Sequence, residues 1–193
     1  MKKFIYLFII LAAGIFSQAD RLGAEEGKRV LILETRYFSV YGDEQISPVS
    51  FVSKIRFRAI CDPERILSEG KEGVCDILGN PLDDIFSEVS DILDIHIPSF
   101  HADIIVFSDS TALASFIQST YHKDFSGKSV FVSEINTIYV SLNDLNVDIL
   151  SHEIARSITS LYFVVPVSPK VQEILTSYVE SHLKKAEKSV CEL

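Results

Sequence analysis

Apolar positions along the chain fall into short dense runs and longer spaced ones. Residues 29–33, 37–40, 102–107, 130–132 and 137–140 are short and rich in β-branched or aromatic side chains, which predicts strands. Glu134-Ile135-Asn136 separates the last two. Helical spacing predicts helices over 48–57, 83–95, 111–121, 147–163 and 169–185. In the second of these, Ile85, Phe86, Val89, Ile92 and Leu93 recur at three- and four-residue intervals. Asp and Ser ahead of Thr111 supply cap chemistry, and Pro166 and Pro169 divide the last two helices. Residues 61–80 are polar and contain glycine, which predicts a loop with at most one turn at 64–68. There is no internal repeat and no low-complexity segment. The mixture predicts an α+β fold, a small mixed sheet packed on helices.

The first nineteen residues follow a different rule. Lys2 and Lys3 precede an apolar run over 4–16 and then Ser17-Gln18-Ala19, the small-residue pattern that a signal peptidase reads. We expect a leader over 1–19, cleavage after Ala19, and one domain over 20–193. The thirteen-residue run is shorter than the ~20 residues of a spanning helix, so no stable membrane span is expected after cleavage. The dibasic start and short apolar core resemble a bacterial export signal, which implies a periplasmic or extracellular protein.

Charge narrows the partners. The chain carries 18 basic and 27 acidic residues, a formal charge of −9, and removal of Lys2 and Lys3 with the leader would make it −11. Such a balance disfavours nucleic acid and anionic membranes and leaves a protein or peptide as the expected kind of partner. At 47% hydrophobic the chain is globular in composition. Of the three cysteines, Cys61 and Cys75 are spaced to close a loop as a disulfide in an oxidising compartment, with Cys191 left over; three free thiols are the alternative. No His cluster accompanies them, which argues against a cysteine zinc site.

Candidate chemistry sits in the helix predicted over 147–163, which reads Ser151-His152-Glu153-Ile154-Ala155-Arg156. At about 100° per residue, His152, Glu153, Arg156 and Ser160 share one sector, while Val147, Leu150, Ile154, Ile158, Leu161 and Tyr162 gather opposite, predicting one packed and one open face. A helix of this kind presents two imidazoles to zinc one turn apart, with a glutamate between them as general base. Here the second imidazole is an arginine. The next helix carries Glu173-Ile174-Leu175-Thr176-Ser177-Tyr178-Val179-Glu180.

Together these segments resemble the active-site region of gluzincin-type zinc metallopeptidases, over about residues 83–183. Glu173-to-Glu180 is similar to the Glu-Gly-x-Ala-x-Tyr-x-Glu segment of aminopeptidase-like members, and residues 136–140 resemble the edge strand ahead of the active helix. The resemblance implies a zincin-like fold, His152 and Glu173 as zinc ligands and Glu153 as catalytic base. Ile174, Thr176, Arg156, Ser160 and Leu161 depart from the pattern. Arginine has only donors and a fixed charge, so Arg156 opposes a dication and is expected to neutralise Glu153 and Glu173 instead. His152 and Glu173 alone fall short of the three ligands usual for catalytic zinc, the one cofactor the resemblance raises. The leading expectation is therefore an exported, non-catalytic or binding relative of a metallopeptidase. Two competitors stand beside it: a working zinc hydrolase that recruits Glu180, His182 or a histidine near His122, and an envelope interaction module that uses the apolar hairpin at 130–140 as a partner-binding edge. Asp91, Asp94, His96, His101 and Asp103 form a weaker cation-binding candidate, and Tyr121-His122 reads as a surface turn.

Overall fold

The computed structural model describes residues 29–55 and 74–191, the side chains at 74–80 and 186–191 excepted. The predicted leader and its cleavage site, Cys61 and the greater part of the predicted loop lie outside these residues. Within them the chain runs β1 (Val30–Glu34), β2 (Phe38–Gly42), α1 (Pro48–Lys54), α2 (Val74–Leu93), β3 (Ala102–Phe107), α3 (Ser110–Tyr121), β4 (Ser129–Val132), a 3-10 turn (Ser133–Ile135), β5 (Thr137–Ser141), α4 (Val147–Tyr162) and α5 (Pro169–Cys191). These elements make an α+β fold with one mixed sheet and five helices.

The sheet order is β1-β2-β3-β5-β4. β2, β3 and β5 are parallel, while β1 and β4 pair antiparallel on the two outer sides. Alternation along β3 sends Ala102, Ile104 and Val106 to one face and Ile105 and Phe107 to the other. The first face carries the larger core, where Leu82, Ile85, Phe86 and Val89 of α2 meet Leu150, Ile154 and Ile158 of α4 and Val179 and Leu183 of α5. Leu113 and Ile117 of α3 cover the second face with Phe107 and Tyr139.

Local chemistry fixes the helix starts. The side chains of Asp109 and Asn146 accept from the Ala112 and Ile149 amides, each at 2.9 Å, at the N-termini of α3 and α4. Ser47 caps α1 in the same way, with proline at the first turn.

Three differences from the sequence expectation matter. Helix α2 begins at Val74, so 74–80 is helical and Pro81 lies inside the helix. A proline there removes one backbone hydrogen bond, and burial of Leu82, Ile85, Phe86 and Val89 against the sheet offsets the loss. Next, β5 is an inner strand and the outer one is β4, because β4 folds back antiparallel on β5 and displaces it from the rim. Finally, the open face of α4 is narrower than expected: His152, Arg156 and Ser160 stay partly exposed, while Glu153 is buried with Ser151, Ser157 and Thr159, because sheet, α2 and α5 pack around the helix. Leu161 and Tyr162, predicted to pack, are exposed at its end.

Candidate functional site

Helices α4 and α5 are antiparallel, joined by residues 163–168. Three contacts fix their register. Asp148 pairs with Lys184 at 3.0 Å, His152 Nδ1 with Glu180 Oε1 at 2.7 Å, and Gln172 Nε2 reaches the Arg156 carbonyl at 3.5 Å. The first two place residues whose numbers total 332 opposite one another. The α5 residue opposite Arg156 by the same rule is Thr176, which is fully buried.

The resemblance places Glu173 beside His152, but the structure does not bring the two together. Seven residues separate Glu173 from Glu180, about 10 Å along a helix. Glu173 lies past the level of Arg156, exposed, and among the described residues nothing pairs with its carboxylate. The expected neutralisation of Glu173 by Arg156 is absent for the same reason.

Glu180 takes the place beside the imidazole. A carboxylate oxygen only accepts, so Nδ1 carries a proton and donates this bond. Among the described residues no partner reaches Nε2. A carboxylate on the far nitrogen is the support that metal-bound histidines commonly have.

Glu153 is 2% exposed. Its Oε1 accepts a 2.7 Å bond from the Ser129 hydroxyl at the start of β4. Its Oε2 is buried with no hydrogen-bond partner, and the nearest cation is Arg156 Nη1 at 3.7 Å. That separation makes an ion pair without a hydrogen bond. Arg156 is itself 36% exposed and opens on a cleft of about 130 Å³, with Ser133, Ser160 and Gln172 on its polar side and Phe131 and Pro166 on its apolar side.

One tie at the other end of the sheet was not anticipated. Asn136, left-handed at φ 48°, donates from Nδ2 to the His101 carbonyl at 2.6 Å and accepts from the Ser157 hydroxyl at 3.0 Å. It thereby links the start of β3 to α4. His101 Nε2 is spent on Ser39 at 2.9 Å.

The donor set does not fit zinc. His152 offers one nitrogen, Arg156 stands as a cation where the resemblance would have a second imidazole, and the α5 position opposite it carries a threonine hydroxyl. Among the described residues no three His, Cys, Asp or Glu side chains are grouped to hold a metal ion. That statement covers Asp91, Asp94, His96, His101 and Asp103, of which Asp91 and His96 are joined to one another by an exposed contact at 3.9 Å. Of the substitute ligands considered, Glu180 reaches His152. His182 is turned to the Tyr178 carbonyl on its own helix, and His122 closes α3 in the left-handed region. The Cys61–Cys75 pairing falls outside the described residues.

Glu180 was legible as a candidate, whereas Ser129 carried no signal in the sequence, since serine at a strand start is common. Among the described residues no helix is long and apolar enough to cross a membrane. Comparison with known proteins finds no similarity: no family model matches the chain, and neither a characterised protein nor a solved structure does so at a significant level.

Proposed function

We propose that this is an exported, zincin-like binding protein that lacks hydrolytic activity, its metal position closed by ion pairs. The observation that carries the reading is the pairing of His152 with Glu180 while Arg156 and Thr176 stand at the two neighbouring ligand positions. One usable imidazole nitrogen beside a fixed cation is too little to hold a divalent metal. Glu153, the base in the resemblance, is buried and held by Ser129, away from solvent and so from an attacking water. What remains open is the cleft at the end of β4, where Arg156 and three polar side chains meet apolar ones. An extended protein or peptide segment carrying a carboxylate suits it.

Reconstitution tests this reading. The wild type is expected to retain well under one equivalent of zinc after dialysis and to cleave no peptide above background. Arg156→His with Thr176→Glu should raise zinc affinity by at least ten-fold, and Glu173→Ala in that background should leave it unchanged. Stoichiometric zinc in the wild type, lost in His152→Ala, would overturn the proposal in favour of a working hydrolase.

A further inference from the structure

The described surface has eleven exposed large hydrophobic residues, and eight lie between Leu161 and Tyr178. Five are consecutive, Leu161 to Val165, and span the end of α4 and the start of the turn to α5. Val164 at the tip is 100% exposed. Val171, Ile174 and Tyr178 continue the apolar character along α5 at helical spacing, on the side away from the buried Thr176, Val179 and Leu183. A patch of this density marks a docking surface. Tyr162 and Phe163 meet edge to face at 5.1 Å, so aromatic and aliphatic groups share the turn.

Charge identifies the occupant. With 27 acidic residues in 193, a segment of nineteen should hold roughly two or three, yet 154–172 holds none and carries Arg156 and Lys170. The end of α4 and the turn that follows it are thus free of acidic residues and carry two cations, Glu173 on α5 being the first carboxylate after them. Repulsion from distant carboxylates is screened beyond about 10 Å at 0.1 M salt, so local charge governs a close approach. The shape agrees. A second protein would need a broad matching surface, whereas the end of a two-helix hairpin is narrow and its tip residue touches nothing.

We propose that the α4–α5 turn is a membrane-surface wedge, which inserts Tyr162, Phe163, Val164 and Val165 at the headgroup boundary of an anionic bilayer with Lys170 against lipid phosphates. Interfacial aromatics beside aliphatic groups and a flanking cation are the composition that such insertion needs. The wedge is independent of the zinc reading, since none of its inserting residues belongs to the His152 site.

The chain contains no tryptophan, so Val164→Trp places a single indole at the tip, and full exposure of that position keeps folding out of the result. With vesicles of phosphatidylcholine and phosphatidylglycerol in a three-to-one ratio, its emission should shift to the blue. Gln118→Trp, on exposed α3 across the sheet, should not shift, which separates the tip from any contribution of residues 4–16. Lys170→Gln in the Val164→Trp background should weaken binding to these vesicles about five-fold, the effect of one surface cation, and leave pure phosphatidylcholine unaffected. No shift with vesicles overturns the proposal. So does a shift that appears without lipid as protein concentration rises, because the turn is then a contact between copies of the chain.

Discussion

Removing either member of the Glu153–Arg156 pair should have unequal consequences, because the two members differ in burial. At 3.7 Å the pair interacts by about 1 kcal/mol in water and about 4.5 kcal/mol at an effective dielectric of 20. Arg156 is 36% exposed and forms no hydrogen bond to Glu153, which moves the value toward the lower figure. Arg156→Ala strands a buried carboxylate whose Oε2 already lacks a hydrogen-bond partner. Water entering the vacated space recovers part of the loss. We expect destabilisation of about 1–2 kcal/mol, below the ~3–5 kcal/mol seen when a fully buried pair is broken. For a chain of this length that is a melting point lower by about 3–6 °C. Glu153→Gln leaves only the half-exposed arginine unpaired and keeps an acceptor for Ser129, so it should be within about 0.5 kcal/mol of wild type. Urea unfolding of both single variants and the double variant gives the comparison and the coupling between them. Glu153→Gln proving as damaging as Arg156→Ala would refute the reasoning, since it would mean that the carboxylate's charge is not in deficit of partners.

Two further outcomes concern the helix caps. Asn146→Ala should lower stability by about 1 kcal/mol, read in urea, because the Ile149 amide loses its side-chain acceptor at the start of the helix that carries the site; no change would mean that water replaces the cap at no cost. Asp109 is held below its ordinary value of 3.8, first by the Ala112 amide, which outweighs an opposing effect of desolvation, and to a lesser extent by the Ser108 hydroxyl and the Thr111 amide. A carboxyl group depressed on folding stabilises the protein above its unfolded pKa, and that contribution disappears as pH falls through the lower folded value. The melting-point advantage of wild type over Asp109→Asn should therefore be constant from pH 7 to about 5 and shrink below about 4, and an advantage that persists at pH 2 would contradict the assignment.

The strands and four of the helices were legible because their signals are local. Alternation in β3, the caps on α3 and α4 and the prolines between α4 and α5 each act within a few residues. Helix α2 was cut short because Gly79-Asn80-Pro81 punctuates the sequence locally, whereas the burial that carries the helix through it is tertiary. Strand order was not legible: nothing in residues 129–141 says that β4 takes the rim and β5 the interior. The His152 partner could have been found by counting. Tyr162 ends α4 and Pro169 begins α5, His152 lies ten residues before the one and Glu180 eleven after the other, so equal rise in an antiparallel pair brings them level. Matching the segment to a motif favoured Glu173 instead, because a motif records residue types without the length of the turn between them.

The same register gives physical content to an arginine where the metallopeptidase resemblance would have a histidine. A bound dication would fasten α4 to α5 through ligands on both helices. Here Asp148–Lys184 and His152–Glu180 already fasten them one turn apart, and Ser129 with Arg156 supplies the buried Glu153 with a donor and a counter-charge. Asp148, Glu153 and Glu180 thus each have a partner within the protein, and the helix pair is fastened by its own side chains. That arrangement separates the fold from the chemistry. A single Arg156→His exchange would remove the counter-charge from Glu153 while Thr176 still withholds a ligand, and it should leave the protein less stable without making it a zinc protein. Thr176→Glu alone would bury a carboxylate opposite Arg156 and is expected to be tolerated through a new pair with that guanidinium. Only the two together assemble a metal site, so the effects on zinc affinity should be strongly non-additive, in contrast to independent surface changes at these distances.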